Sequence, residues 1–202
     1  MGKESNQTRY QKTLDRISSY LEKEFGVDKK KLNSLESKLL GLKSVLRQVN
    51  NMLTYKLSAS FVRDLKSCGL ISEEEKSAEL DRICNTSPNA NGFDIEIDVS
   101  KRHKKILGEV KCNKPLDKSK TFSVAQRNSI IKDILKLSNN ENAIKFMVAL
   151  DDADVKKAFD EDAFIKKLDE SDVEYEIVKK LAELSGRRLD AKKVYIVFCP
   201  IK

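Results

Sequence analysis

Apolar residues recur at alternating spacings of three and four along the first third of the chain. This spacing places them on one stripe of a helix, and its regular repeat is typical of a coiled-coil seam. The seam consists of Leu32, Leu35, Leu39, Leu42, Leu46, Val49 and Leu53. We therefore predict a helical N-terminal region over residues 1–70, with a further helix from Tyr55 to Cys68 that ends at Gly69. The seam packs either on its own domain or across a homodimer.

Two short segments that follow have a period of two instead. Residues 92–99, GFDIEIDV, alternate apolar and acidic side chains, which predicts a half-buried strand. Residues 106–112, ILGEVKC, are predicted to return beside it as the second strand of a hairpin. A helix over residues 72–84 precedes the hairpin, because Ser72 and Glu75 have the spacing of a capping box.

The remaining pattern alternates helices and apolar strands. It predicts a helix over residues 124–137, a strand over 143–150, helices over roughly 152–168 and 173–184, and a last strand over 194–199. Nearly continuous apolar runs such as AIKFMVAL are typical of strands that are covered on both faces. The order of elements predicts an α/β fold, with a mixed central sheet flanked by helices in residues 71–202.

Composition narrows the classes of function. The 202 residues carry a net charge of +7, which favours polyanionic partners such as nucleic acid. The four cysteines form no C-x-x-C pair, and one histidine excludes an H-E-x-x-H zinc site. A phosphate-binding G-x-x-x-x-G-K-[S/T] loop is missing, so we expect no nucleotide cofactor. Without a membrane-length apolar run or a signal-peptide pattern, we expect a cytoplasmic protein and no membrane partner.

Charged residues on the two hairpin strands carry the candidate chemistry. Asp94, Glu96 and Asp98 share one face of the first strand, and Glu109 and Lys111 share one face of the second. Carboxylates that converge in this way bind Mg²⁺, which polarises a phosphodiester and lowers the pKa of bound water. A nearby lysine helps to position that water and offsets developing charge. A stripe of one sign is costly unless a cation lies beside it.

GFDIEIDV…ILGEVKC resembles the catalytic hairpin of the PD-(D/E)xK nuclease superfamily, which has the restriction-endonuclease-like fold. Glu109-Val110-Lys111 matches the acidic-x-Lys element, and the order of elements over residues 72–150 matches that of the family. Phe93 stands where the family has proline, so the position of the family's aspartate is open. Asp94 is our first candidate, Asp98 is the close alternative, and Glu96 is third.

The resemblance implies a set of site residues. Asp94, Asp98 and Glu109 are the implied Mg²⁺ ligands, with Lys111 as the catalytic lysine. Many members add a glutamate from the preceding helix, for which Glu79 is the best match and Glu75 the next; an exposed helix face is the alternative. Gln126 matches a glutamine that supports the lysine or touches DNA, or it is a surface residue. Arg127 and Lys114 are further candidates for contacts with the DNA backbone.

The implied function is that of a Mg²⁺-dependent endodeoxyribonuclease. A single compact chain of this length best fits a Type II restriction enzyme that cuts a specific site in double-stranded DNA as a homodimer. Two alternatives stay open: a structure-selective repair or junction nuclease, and an inactive nuclease-fold module that binds DNA. A merely solvated, half-exposed hairpin is the fourth interpretation of the same residues.

Overall fold

The computed structural model describes residues 35–86, 92–100, 104–115 and 120–202, together with residues 19, 22 and 23. Its contacts divide the chain into two compact units, Met1–Gln48 and Val49–Lys202. The second unit contains the whole sheet, and it also contains the later part of the first described helix. Residues 101–103, the predicted hairpin turn, lie outside the described residues.

Helices and strands alternate along the second unit much as the pattern predicts. The helices are α1 (Leu35–Ser67), α2 (Glu73–Asn85), α3 (Val124–Ser138), α4 (Ala153–Phe159) and α5 (Asp162–Asp169), with a short 3-10 helix at Leu181–Leu184. The strands are β1 (Ile95–Val99), β2 (Lys104–Lys111), β3 (Ala143–Leu150), β4 (Tyr175–Val178) and β5 (Val194–Cys199).

The five strands form one mixed sheet in the order β1-β2-β3-β5-β4. β1 is antiparallel to β2, whereas β2, β3, β5 and β4 run parallel to one another. The predicted α/β fold with a mixed sheet flanked by helices is therefore confirmed. Gly108 allows β1 to approach closely, because a Cβ at that position would lie 3.1 Å from the Cβ of Ile95.

Apolar side chains cover both faces of the sheet. On one face α1 contributes Leu57, Phe61, Val62 and Leu65, and the Phe61 ring meets that of Phe146 edge-on with centroids 5.2 Å apart. On the other face α3, α4 and α5 bury their apolar sides. α1 is part of the core from Leu57 onward, so the second unit includes part of the predicted helical N-terminal region.

Three of the predicted helices differ from those in the structure. The helix predicted over 173–184 is instead the strand β4 followed by the 3-10 helix, because Tyr175–Val178 pairs with β5 at the edge of the sheet. The helix predicted over 152–168 is two helices, α4 and α5, with Asp160 and Glu161 between them. The helix predicted to begin at Tyr55 is continuous with the preceding residues in α1.

The predicted leucine seam is described only in its last part. Leu32 and the side chains of Leu35, Leu39 and Leu42 lie outside the described residues. Leu46 is 54% exposed and Val49 is 36% exposed. The homodimer contact predicted for this seam stays a prediction. Among the described helices, none has the length and apolarity to span a bilayer.

Candidate functional site

A polar cavity of about 430 Å³ opens beside the carboxyl-terminal half of β2. Residues from α1, α2, β1, β2 and α3 line it, together with the segment that leads into β1. Its lining includes Thr54, Arg82, Asp94, Glu109, Lys111 and Asp133. Four of the residues that the sequence analysis considered for the site, Asp94, Glu96, Glu109 and Lys111, thus lie around one cavity.

Asp94 lies immediately before β1 and is fixed by the neighbouring strand. Its Oδ2 accepts a hydrogen bond from the backbone N–H of Val110 at 2.8 Å. Ile95 pairs with Gly108 in this antiparallel hairpin. The residue before Ile95, Asp94, therefore lies opposite the residue after Gly108, which is Glu109. The local pairing of β1 and β2 therefore places the first carboxylate next to the acidic-x-Lys element.

Glu109 is a carboxylate that the fold largely removes from water. The residue is only 7% exposed, because it lies on β2 beneath α3. Burial raises the pKa of Glu109 to about 7, the ammonium of Lys136 opposes that shift, and the negative charges of Asp94 and Asp133 add to it. A nearby cation stabilises the charged form of a buried carboxylate of this kind.

Helix α3 supplies that cation and a second ion pair. The Nζ of Lys136 lies 2.5 Å from Oε1 of Glu109, contacts the carbonyl oxygen of Gly92, and lies 4.4 Å from the ring centroid of Phe93. One turn earlier on the helix, Asp133 forms an ion pair with Lys111. Lys111 is therefore held by α3 at the edge of the cavity.

Asp133 and Lys136 were missed from the sequence. Their spacing of three places both on one side of a helix, but a D-x-x-K pair is common on solvated helices and carries no signal alone. A signal appears only in combination, because the pair has the charges complementary to those of Glu109 and Lys111. Pairing them requires knowing that α3 packs over β2, which is a tertiary fact.

Asp98 lies away from Glu109 and Lys111. The structure therefore does not support it as the alternative metal ligand. It pairs in register with Lys105, four residues along β1 from Asp94, and a strand rises about 3.3 Å per residue. Its side chain is 79% exposed and lies 3.5 Å from the Nζ of Lys105. Asp98 borders a different cavity of about 730 Å³ at the opposite end of the hairpin.

Lys105 neutralises part of the acidic stripe formed by Asp94, Glu96 and Asp98. Its Nζ lies 3.4 Å from Glu96 as well as 3.5 Å from Asp98. The cation that such a stripe needs is therefore supplied, for these two residues, by the opposite strand. Asp98 does not converge with Glu109, whereas Asp94 and Glu96 both line the cavity that Glu109 lines. Of these two, Asp94 is the one that the register of the hairpin places directly beside Glu109.

Glu79 is buried in an ion pair that holds the approach to β1. Both of its oxygens accept hydrogen bonds from Arg82 at 2.7 Å, and Oε1 also accepts one from the backbone N–H of Glu96 at 2.8 Å. Arg82 in turn donates to the carbonyl oxygen of Asp94 at 2.9 Å. Glu79 thereby positions Asp94 through Arg82. Of these two paired residues, Arg82 lines the cavity and Glu79 does not. Glu75 caps α2 together with Ser72.

The three candidate DNA contacts have partners within the chain. Gln126 forms a capping box with Ser123, and its amide Nε2 donates to the carbonyl oxygen of Lys114 at 3.0 Å. The ammonium of Lys114 lies 2.5 Å from Asp152. Arg127 donates to the carbonyl oxygen of Phe122 at 3.0 Å. These contacts order the loop before α3, and DNA binding by these residues stays a prediction.

The residues present allow a metal site with two carboxylates. The described part of the chain contains no group of three or more His, Cys, Asp or Glu side chains arranged to hold a metal ion. Mg²⁺ needs fewer, since it is commonly held by one or two carboxylates with waters and substrate phosphate oxygens. Asp94 and Glu109 on the wall of one polar cavity fit that smaller requirement.

Comparison with known proteins adds no assignment. No family model matches the chain, and neither the curated proteins nor the solved structures give a match.

Proposed function

We propose that the chain is a Mg²⁺-dependent endodeoxyribonuclease with a restriction-endonuclease-like core. The supporting observation is the placement of Asp94, Glu109 and Lys111 around one polar cavity on adjoining strands. Their order along the chain and along the strands is that of the PD-(D/E)xK pattern. The sheet, with an antiparallel hairpin followed by parallel strands, is compatible with that fold.

The three residues have two roles in the proposed reaction. Asp94 and Glu109 would hold the metal, Asp94 being oriented by Val110 and Glu109 by its position on β2. The bound metal supplies Lewis-acid activation of the phosphodiester and of a water molecule. Lys111, oriented by Asp133, positions the attacking water and offsets negative charge as it develops on the phosphate.

Charge favours DNA as the substrate. The chain has a net charge of +7. Cationic side chains position a nucleic acid by contacts with its phosphates. We propose a Type II restriction enzyme that acts on double-stranded DNA as a homodimer in a prokaryotic cytoplasm, because a two-fold symmetric protein matches a palindromic site.

Incubation of the purified protein with a long linear duplex, in Mg²⁺ or in EDTA, tests the proposal. Glu109→Gln and Lys111→Ala are the test variants, and Glu183→Gln, an exposed residue of the 3-10 helix, is the matched control. We expect discrete fragments from the wild type and the control in Mg²⁺, and a loss of cleavage of at least about 100-fold in both test variants.

Other outcomes change or overturn the proposal. A smear, or cleavage confined to branched DNA, indicates a general or structure-selective nuclease that uses the same residues. DNA binding without cleavage under any divalent metal indicates an inactive module. Cleavage that survives in Glu109→Gln and Lys111→Ala contradicts the assigned site.

A further inference from the structure

Helix α3 carries a pair of charges that mirrors the acidic-x-Lys element. Asp133 pairs with Lys111, and Lys136 pairs with Glu109. Residues three apart on a helix face the same side, so both reach β2 from one surface of α3. The four side chains together carry no net charge. The chain thus supplies a counter-charge to both Glu109 and Lys111.

The ammonium of Lys136 lies among oxygen atoms of the kind that a hard cation takes. It is 2.5 Å from Oε1 of Glu109 and also contacts the carbonyl oxygen of Gly92. Carboxylate and backbone carbonyl oxygens are ordinary ligands of Mg²⁺ and similar ions. A positive charge at this point also offsets the cost of burying the Glu109 carboxylate.

The two partners differ in their freedom to move. The side chain of Glu109 is 10% exposed, whereas that of Lys136 is 45% exposed. Glu109 is fixed within a paired strand, and a lysine ammonium sits on a flexible four-carbon stem. Lys136 is therefore able to leave Glu109 for solvent without a rearrangement of the core.

We propose that Lys136 is an internal counter-cation, which neutralises Glu109 in the metal-free protein and is displaced when a divalent cation binds that carboxylate. The inference rests on the proposed function and adds a control of its metal site. An ammonium and a divalent ion repel each other strongly when they share one buried carboxylate. The affinity for metal is therefore set by competition with a residue of the chain itself.

Calorimetric titration with Mn²⁺ alone, without DNA and at fixed pH and salt, tests the competition. Lys136→Met removes the charge and keeps most of the stem, and Lys132→Met is the matched control, an exposed lysine one turn earlier on α3. We expect Lys136→Met to bind Mn²⁺ at least about tenfold more tightly than the wild type. Lys132→Met and the charge-conserving Lys136→Arg should stay within about twofold of the wild type. Equal or weaker binding by Lys136→Met would overturn the inference.

A second measurement uses the unmodified protein, so it holds even if Lys136→Met does not fold. Brief acetylation of lysines, read by mass spectrometry, reports which ammonium groups are free. We expect labelling of Lys136 to rise when Mn²⁺ is added, because the ion releases it from Glu109, while labelling of Lys132 stays constant. Unchanged or reduced labelling of Lys136 in the presence of bound Mn²⁺ contradicts displacement.

Glu109→Gln separates failure of the inference from failure of the proposed function. If the wild type binds no Mn²⁺, or binds it equally well with Glu109→Gln, the metal site itself is wrong and both proposals fail. If binding depends on Glu109 while Lys136→Met and the labelling show no competition, the proposed function stands and only the role of Lys136 is lost.

Discussion

At the scale of single residues, burial decides which charged groups have altered chemistry. Glu109 and Glu79 are both nearly buried, but their partners differ: a half-exposed lysine for Glu109 and a bidentate arginine for Glu79. A planar guanidinium matches a carboxylate through two hydrogen bonds, whereas an ammonium is a single mobile charge. Glu79 is therefore suited to holding structure, and Glu109 to exchanging its cation.

The raised pKa of Glu109 predicts a pH-dependent stability. Because the folded-state pKa is about 7, above the ordinary value, the folded protein binds this proton more tightly. The resulting stability is present below the ordinary pKa and is lost as the pH rises through about 7. We expect Glu109→Gln in EDTA to be more stable than the wild type at pH 8 by about 1–2 kcal/mol, after allowance for screening.

Urea unfolding at pH 5 and at pH 8 measures this difference. The gain should shrink toward zero at pH 5, where the wild-type carboxyl is largely protonated. Glu183→Gln, at an exposed position, should show no comparable change between the two pH values. A Glu109→Gln variant that is less stable than the wild type at pH 8 would show that Lys136 more than offsets the cost of burial.

The cysteines differ in accessibility in a way that thiol reagents should detect. Burial raises the pKa of Cys199 to about 12 and that of Cys112 to about 11, whereas Cys84 is exposed. Since the thiolate is the reactive form, we expect Cys84 to react first with a disulfide reagent at pH 8, and Cys199 only on unfolding. Cys84→Ser should remove the fast phase. A fast phase that persists in Cys84→Ser would place the reactive thiol elsewhere.

At the scale of elements, Arg82 is one of the residues that join α2 to the hairpin. Arg82 binds the Glu79 carboxylate on its own helix and the Asp94 carbonyl at the start of β1. Its contacts connect the helix to the segment that carries the first carboxylate. The order of elements alone gives no indication of this connection.

Removal of Arg82 should destabilise the fold and displace Asp94. Arg82→Met leaves the Glu79 carboxylate buried without its bidentate partner, for which we expect a loss of about 2–4 kcal/mol in the free energy of unfolding. The double variant Arg82→Met/Glu79→Gln should recover part of that loss, because it removes the unpaired charge. Chemical denaturation of both variants measures the effect. A double variant no more stable than Arg82→Met alone would contradict the role given to the ion pair.

At the scale of the whole molecule, the net charge of +7 gives the proposed binding of DNA a testable salt dependence. A protein that neutralises several phosphates releases counterions, so its affinity for DNA falls as salt rises. With Lys111→Ala in EDTA, which removes cleavage, we expect duplex binding to weaken by at least about tenfold between 50 and 200 mM salt. Fluorescence anisotropy with a labelled duplex checks this. Affinity independent of salt would argue against the phosphate backbone as the main contact.

Much of the fold was predictable because its signals are local. The strands Ala143–Leu150 and Val194–Cys199 were predicted with the observed bounds. A short apolar run bounded by polar residues is typical of a buried strand and is too short for a core helix. The segment Val173–Leu184 was mispredicted because its charged residues also suit an amphipathic helix. Tyr175–Val178 forms a strand because it pairs with β5. The local sequence does not show this pairing, because it depends on a neighbouring strand.

The sequence by itself determined the composition of the candidate site: an acidic-x-Lys element on β2 and carboxylates at alternate positions before it, because side-chain alternation is a property of each strand alone. Tertiary structure decided which carboxylate lies beside Glu109. The register of the hairpin brings Asp94 to Glu109 and leaves Asp98 with Lys105, since these contacts depend on which residues face each other across two strands. It also decided that the counter-charges come from α3, because Asp133 and Lys136 reach β2 only once that helix has packed over the sheet.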